Sequence, residues 1–309
     1  MNSFLKERFC EKTINLIEFF YLKTIRNFTR LTPYLIYRND PIQNFPVENF
    51  TALVRNIDYQ FKPLEKSWEL IINIDGKKRV ARAFIERGFD PKKTTIIFHH
   101  GAGMINYKPL MNFYFNHPEF KKFNLIAIKA PCHESKADYT NGAIDSLYHQ
   151  QLTIAGSVLI TEEIIQWLKK QNSKSILIGF SMGGIVFTWH WLIFDSGDIY
   201  FPITAYPNIS EIFLGDGYKE VIDKRSERLK ISSYFKAFSV SQTRRQIDQR
   251  DRIFPVLGEK DLIINYSKAL NFWKGKEVLH FPYGHFVSIV KSKQIKKYIG
   301  EKLTQRGFV

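Results

Sequence analysis

Short, continuous runs of apolar residues recur along the chain from residue 95 onward. They predict six strands, over residues 95–98, 124–128, 175–178, 200–205, 253–257 and 277–281. Runs without polar alternation are typical of strands that are buried on both faces of a parallel sheet. The stretches between them are long enough for crossover helices, so the sequence predicts an α/β fold with a mostly parallel central sheet and helices on both faces.

Other patterns complete this outline. Two strands, 68–74 and 80–84, meet at Asp75-Gly76, a dipeptide that favours a tight hairpin turn. Helical spacing of apolar positions predicts helices over residues 110–115, 152–170, 183–194, 266–273 and 292–303. The segment from Pro41 to Pro63 has neither pattern, and we interpret it as a linker.

The two ends of the predicted domain have further features. Residues 1–50 are predicted to form an amphipathic helical extension, because apolar positions between Asn2 and Tyr37 recur at helical spacing with basic residues between them. Such a face packs on the protein's own body or lies in a membrane interface, and both interpretations stay open. Residues 51–309 are predicted to form one domain. A basic, aromatic-rich insertion at about 207–252 interrupts it, and we predict that this insertion is a helical lid.

Charge and cysteine content constrain partners and compartment. The formal net charge is +15, which suits an anionic membrane surface and is also what a lysine-rich composition gives without any partner. No nucleic-acid recognition motif accompanies this charge, so no nucleic acid is expected. Cys10 and Cys132 are too few for a disulfide framework, and there is no secretory signal. We expect a cytoplasmic protein, with peripheral membrane contact left open.

The most informative motif is Gly-x-Ser-x-Gly, formed by Gly179, Ser181 and Gly183 between a predicted buried strand and a predicted helix. A serine on so tight a strand-to-helix turn crowds the backbone, and flanking glycines remove the Cβ atoms that would clash. The hydroxyl then projects at the carboxyl edge of the sheet. We therefore predict that Ser181 is a nucleophile.

With this motif in this context, residues 68–303 resemble the α/β-hydrolase superfamily, in particular its serine esterase, lipase and thioesterase branches. The resemblance implies an oxyanion-binding turn after the strand at 95–98, and here that turn contains His100, Gly101 and Gly103. The backbone amides of Ala102 and Met182 are the implied donors to the oxyanion.

A base and an acid complete the predicted site. His285 follows the last predicted strand and precedes the terminal helix, where the superfamily places its catalytic histidine. Asp261 follows the strand at 253–257 and keeps the chain order Ser, Asp, His. Glu259 and Glu211 are the reserve candidates for the acid.

These residues predict a serine hydrolase that cleaves a carboxylic ester or thioester, including lipid-like ones, through an acyl-enzyme and without a cofactor. The alternatives are a non-catalytic binding or scaffold protein of the same fold and a small peptidase. The His99-His100 pair lacks a third ligand at suitable spacing, so no metal is expected. Cys132 has two interpretations, a second nucleophile or an unreactive thiol.

Overall fold

A central sheet organises the computed structural model, which describes residues 50–74, 76–144, 147–208 and 252–309. In these residues the strand order is β1-β2-β3-β5-β4-β6-β7-β8-β9. The strands are β1 (Tyr59–Pro63), β2 (Ser67–Ile74), β3 (Lys77–Arg87), β4 (Thr95–His99), β5 (Asn124–Lys129), β6 (Ser175–Phe180), β7 (Ile199–Ile203), β8 (Val256–Gly258) and β9 (Leu279–Phe281).

Strand direction divides the sheet into two parts. β1, β2 and β3 pair antiparallel with one another, and β3 is antiparallel to β5. From β5 to β9 every pairing is parallel. This confirms the mostly parallel sheet that the apolar runs predict. Ile74 pairs with Lys77, so the strands meet at the predicted hairpin position.

Helices cover both faces of the sheet. They are α1 (Phe50–Asn56), α2 (Lys108–Phe115), α3 (Pro118–Lys121), α4 (Lys136–Gly142), α5 (Leu147–Lys170), α6 (Met182–Ile193), α7 (Tyr266–Phe272), α8 (His285–Val290) and α9 (Ser292–Gln305). Alternate residues of β4 enter different cores: Ile97 packs with α5 and α6, whereas Ile96 and Phe98 pack with α2 and α9. Period-2 alternation thus produces a core on each face.

The interpretation of Pro41 to Pro63 as a linker is wrong over residues 50–63. Phe50 and Val54, four residues apart in α1, are each 1% exposed and pack in the α5 and α6 core. β1 then pairs with β2 along its whole length. Both elements are short, and β1 is an edge strand with mostly exposed side chains, so neither has a long apolar run.

Three predicted strands are shorter than expected. The strand predicted over residues 277–281 begins only at Leu279, as β9. β7 ends at Ile203 because the next residue, Thr204, has φ 48°, outside the range of extended chain. Residues 253–257 form only an isolated bridge at Ile253 before β8 begins at Val256. Pro255 lies between them and has no N–H to donate to a neighbouring strand.

Two predicted segments, the N-terminal helical extension and the insertion at 207–252, lie almost entirely outside the described residues. Their boundaries and roles stay predictions. Within the described ranges, no helix combines the length and the apolar character that crossing a membrane requires.

Candidate active site

The Gly-x-Ser-x-Gly motif lies at the junction of β6 and α6. Ser181 is the single residue between the two elements, with φ 52° and ψ −115°. This backbone conformation is strained for a residue with a Cβ atom. Its amide donates to Ile203 O at 2.9 Å, and its carbonyl accepts from Ile185 N at 3.0 Å. Neighbouring β7 and the first turn of α6 therefore hold the strained residue in place.

Both glycines of the motif are required by close backbone approach. A Cβ atom on Gly179 would lie 2.2 Å from Gly183 O, and a Cβ atom on Gly183 would lie 2.2 Å from His99 O. Real Cβ atoms do not come so close to a carbonyl oxygen. The tight turn therefore depends on glycine at both positions, as the sequence predicts.

The structure brings the three predicted side chains together in series. His285 Nε2 lies 2.9 Å from Ser181 Oγ, and His285 Nδ1 lies 2.7 Å from Asp261 Oδ2. The side chains of His285 and Asp261 are each only 1% exposed, whereas Ser181 is partly exposed. A carboxylate only accepts hydrogen bonds, so Nδ1 carries the proton and Nε2 accepts the serine hydroxyl. This is the arrangement that a general base needs.

Asp261 is oriented by its own turn. Its Oδ1 accepts the backbone amides of Ile263 at 2.8 Å and Ile264 at 2.7 Å, which leaves Oδ2 for His285. Glu259, the nearer reserve candidate, is exposed and has no such contact with the histidine among the described residues. Glu211 lies outside the described residues.

Close packing also joins the strand before Asp261 to the loop before His285. A Cβ atom on Gly258, the last residue of β8, would lie 2.6 Å from both Tyr283 O and Ser288 Oγ. Gly258 is a site-positioning residue that the sequence analysis missed. Its only signal was a glycine at the end of a predicted strand.

The predicted oxyanion turn follows β4 and lies beside the serine. A Cβ atom on Gly101 would be 3.5 Å from Ser181 Cβ, so the turn lies within contact distance of the serine. Gly103 has φ 69°, which favours glycine, and Ala102 is exposed. Met182 is the first residue of α6, where amides have no partner within the helix and the helix dipole is positive. Within the described part of the chain, neither Ala102 N nor Met182 N donates to another group.

Buried imidazoles support this turn. His100 Nδ1 lies 2.7 Å from Gly101 O, and its Nε2 accepts the amide of Ala130 at 3.1 Å. His133 Nε2 accepts the amide of Gly103 at 3.3 Å, and its Nδ1 lies 2.8 Å from Pro131 O. Burial lowers the pKa of His133 to about 4 and lowers the pKa of His100 well below its ordinary value. Both rings are therefore neutral near pH 7.

His133 carries no signal in the sequence that would relate it to this turn. Its partner Gly103 lies 30 residues away in a different loop, and no periodic pattern relates the two positions. The contact becomes visible only when parallel β4 and β5 bring the loops at their carboxyl ends side by side.

Two other histidines and Cys132 lie in settings apart from this site. His190 is buried in α6, where it contacts Glu162 and Tyr200. His280 contacts Tyr266 OH at 3.0 Å. The thiol of Cys132 is buried and accepts from Arg79 Nη1 at 3.2 Å. Throughout the described ranges, no three His, Cys, Asp or Glu side chains are grouped as metal ligands.

Comparisons with known proteins found similarity in structure only. No protein-family model matches the sequence, and no curated protein matches it. A cold-adapted esterase from an Arctic intertidal metagenomic library is 12% identical, with TM-score 0.49 over 81% of this chain and 99% of its own. An esterase of Pyrococcus furiosus is 17% identical, with TM-score 0.47 over 85% and 96%. A hyperthermophilic esterase of Pyrobaculum calidifontis is 10% identical, with TM-score 0.48 over 100% and 99%.

The fold itself follows from the topology of this chain. The sheet is parallel from β5 to β9 and continues into an antiparallel hairpin at one edge. The glycine-flanked serine lies between a central strand and the helix that follows it, and Asp261 and His285 follow later strands at the same edge. The chain has the α/β-hydrolase fold.

Proposed function

We propose that this protein is a serine hydrolase that cleaves carboxylic esters or thioesters of small molecules through an acyl-enzyme on Ser181. One observation carries the proposal: Ser181 Oγ, the His285 ring and the Asp261 carboxylate form a continuous hydrogen-bonded series with spacings of 2.9 and 2.7 Å. A serine hydroxyl is a weak nucleophile until a base accepts its proton, and this series supplies an oriented base.

The first half-reaction forms the acyl-enzyme. Ser181 Oγ attacks the carbonyl carbon of the substrate while its proton passes to His285 Nε2, and Asp261 stabilises the resulting imidazolium. The carbonyl oxygen becomes an oxyanion, which the amides of Met182 and Ala102 stabilise. The tetrahedral intermediate then collapses. The bond to the leaving oxygen or sulfur breaks, and the proton on Nε2 passes to that alcohol or thiol.

The second half-reaction returns the free enzyme. A water molecule loses a proton to His285 Nε2 and attacks the acyl carbon, and the same two amides stabilise the oxyanion that forms. The bond from carbon to Ser181 Oγ breaks, the serine regains its proton, and the carboxylic acid leaves. No step needs a cofactor. Because the proposed nucleophile is a serine hydroxyl rather than an aspartate carboxylate, the covalent intermediate is an acyl-enzyme and not an alkyl-enzyme.

The surroundings of Ser181 bear on the class of substrate. Esters of small molecules fit a partly exposed serine with its turn and helix N-terminus beside it. We also propose that lipid-like esters are among the substrates. The aromatic residues of the insertion at 207–252 and the basic residues of the N-terminal segment support this proposal.

A fluorophosphonate probe tests the nucleophile directly. We expect the wild type to be labelled, Ser181→Ala to remain unlabelled, and Ser267→Ala, which changes an exposed serine on α7, to be labelled like the wild type. A folded wild type that stays unlabelled and hydrolyses no ester would contradict the proposal and favour the scaffold alternative. Labelling that persists in Ser181→Ala would place the nucleophile elsewhere.

A substrate panel then defines the reaction. p-Nitrophenyl esters of increasing acyl length, a matched thioester and a p-nitroanilide separate ester, thioester and peptidase-like activity. We expect hydrolysis of the esters and none of the anilide. Preferential cleavage of the anilide would contradict the ester proposal in favour of a peptidase.

A further inference from the structure

Two loops at the carboxyl edge of the sheet are joined by two buried imidazoles. The first is the turn after β4, residues 100–103, and the second is the loop after β5, residues 130–133. His100 belongs to the first loop and accepts the amide of Ala130, while His133 belongs to the second and accepts the amide of Gly103. Each ring also contacts a carbonyl of its own loop. The two loops are thus hydrogen-bonded to each other in both directions.

The donor and acceptor roles of both rings follow from these partners. A backbone amide donates to Nε2 in each ring, so Nε2 carries no proton and Nδ1 must carry it. His100 Nδ1 therefore donates to Gly101 O, and His133 Nδ1 donates to Pro131 O. Both rings are 0% exposed, which favours the neutral form that these bonds require.

The two rings act on consecutive peptide groups. Gly101 O, which accepts from His100 Nδ1 at 2.7 Å and from Met104 N at 3.4 Å, belongs to the peptide that also contains Ala102 N. In a planar trans peptide the carbonyl and the N–H point in opposite directions, so fixing this oxygen fixes the direction of the Ala102 N–H. Gly103 N, held by His133, belongs to the next peptide. Both peptides that flank Ala102 are therefore held by imidazoles.

The second peptide needs this support. Gly103 has φ 69°, and glycine is the residue with most freedom to leave such a conformation. The ring of Tyr139 packs beside it, 3.3 Å from where a Cβ atom would be. The bond to His133 is the polar restraint on this peptide among the described residues.

We propose that His133 is a positioning residue for the oxyanion donor: by accepting the Gly103 N–H it completes the restraint that His100 begins, and keeps the Ala102 N–H aimed at the substrate oxygen beside Ser181. This inference rests on the proposed hydrolase function. A donor that is present but misdirected stabilises the transition state poorly, since displacement by about 1 Å costs up to about 100-fold in rate. His133 itself does not touch the substrate.

Two substitutions separate the bonds of His133. His133→Gln places an amide oxygen near the position of Nε2, so it keeps an acceptor for Gly103 N and loses the donor to Pro131 O. His133→Asn places an amide nitrogen near Nδ1, so it keeps the donor to Pro131 O and loses the acceptor. We expect H133N to lower kcat for a p-nitrophenyl ester by about 10- to 100-fold with KM changed less than about threefold. H133Q keeps kcat within about threefold of the wild type.

A second readout reports the same step without turnover. Fluorophosphonate labelling also builds negative charge on an oxygen beside Ser181, so its rate constant falls in H133N by a factor similar to that for kcat. Thermal unfolding of each variant shows whether it is folded. Where H133N does not fold, His133→Leu takes its place: it fills the same buried space without an acceptor, and its kcat is expected to be about 10- to 100-fold below that of the wild type.

The outcomes distinguish this inference from the proposed function. An active, labelled wild type with H133N and H133Q equal in kcat overturns the inference alone, because a merely structural histidine loses the two bonds with similar effect. A folded H133N or H133L with wild-type kcat also overturns it. A folded wild type that is neither active nor labelled overturns the proposed function, and the inference with it.

Discussion

The carboxylate of Asp261 divides its two oxygens between its own turn and His285. Oδ1 accepts two backbone amides, and Oδ2 lies 2.7 Å from His285 Nδ1. The turn therefore fixes the carboxylate before the histidine meets it. A substitution at Asp261 can therefore change the hydrogen bond to His285 while the bonds to the turn are kept.

Asp261→Asn is expected to lower kcat by about 10³- to 10⁴-fold while the protein stays folded. The asparagine oxygen would still accept from the turn, which directs its NH₂ group at His285 Nδ1. His285 Nδ1 must then accept a hydrogen bond, so the ring proton moves to Nε2. Nε2 can no longer accept the proton of the serine hydroxyl. Steady-state kinetics with a p-nitrophenyl ester measures the loss.

Glu259→Gln is the matched control, because Glu259 is exposed and two residues from Asp261. We expect its kcat to equal that of the wild type. A severe loss in Glu259→Gln or Glu211→Gln, with Asp261→Asn unaffected, would show that the acid is assigned to the wrong residue.

Gly183→Ala should destabilise the protein by about 3 kcal/mol, because the added Cβ atom would lie 2.2 Å from the backbone oxygen of His99. The neighbouring atom is backbone, so no side-chain rotation relieves the contact. Gly300→Ala in α9 is the matched control. A Cβ atom there meets nothing within 4 Å, and alanine should raise the free energy of unfolding by about 0.5–1 kcal/mol. Urea unfolding measures the free energy of unfolding of both variants. A Gly183→Ala variant as stable as the wild type would show that the turn is looser than described.

Acid should destabilise the protein through its buried histidines. Burial lowers the pKa of His99 to about 3 and that of His133 to about 4, whereas unfolded histidines titrate near 6.5. Between these values the unfolded chain binds protons that the folded chain does not, so stability is complete above about pH 6.5 and falls as the pH is lowered towards 4. Each such histidine contributes a slope of about 1.4 kcal/mol per pH unit.

Urea unfolding of the wild type and of His133→Gln at pH 7, 6 and 5 measures this slope. The variant should lose less free energy of unfolding per pH unit than the wild type. Ser267→Ala, which changes an exposed serine and no titratable group, should leave the slope unchanged. Parallel curves for the wild type and His133→Gln would contradict a neutral, buried His133.

Local sequence patterns explain why so much of the sheet was predictable. The runs at 95–98, 124–128 and 175–178 lie in strands buried on both faces. Every position after the first is apolar, so the pattern can be recognised without knowing which strands pair. The turn at Ser181 was predictable for a similar reason, since its steric requirements are met by glycines two residues away. The order of Asp261 and His285 followed from the resemblance, not from these patterns.

The missed elements depend on contacts between distant segments. β1 is an edge strand that exists by pairing with β2, and its mostly exposed residues carry no apolar run. α4 is a polar helix of seven residues. The bond from Gly103 to His133 requires two strands to be aligned first. A single sequence contains the residues for such contacts but no periodic signal that pairs them.

Ser181 should carry a measurable cost in stability, because its φ of 52° with ψ of −115° is a conformation that glycine adopts more readily than a residue with a Cβ atom. Ser181→Gly and Ser181→Ala both remove the hydroxyl and should both be inactive. Relief of backbone strain, less the greater freedom of glycine in the unfolded chain, should make the glycine variant more stable by roughly 1 kcal/mol.

Ser267, in the first turn of α7, gives the opposite expectation and serves as the control. Glycine in a helix is less favourable than alanine by up to about 1 kcal/mol, so Ser267→Gly should be less stable than Ser267→Ala. Urea unfolding of the four variants provides the comparison. If Ser181→Gly were less stable than Ser181→Ala, as at Ser267, the strain at the proposed nucleophile would be absent. A reversal of sign between the two positions would mean that the turn holds Ser181 in a conformation it adopts at the expense of stability.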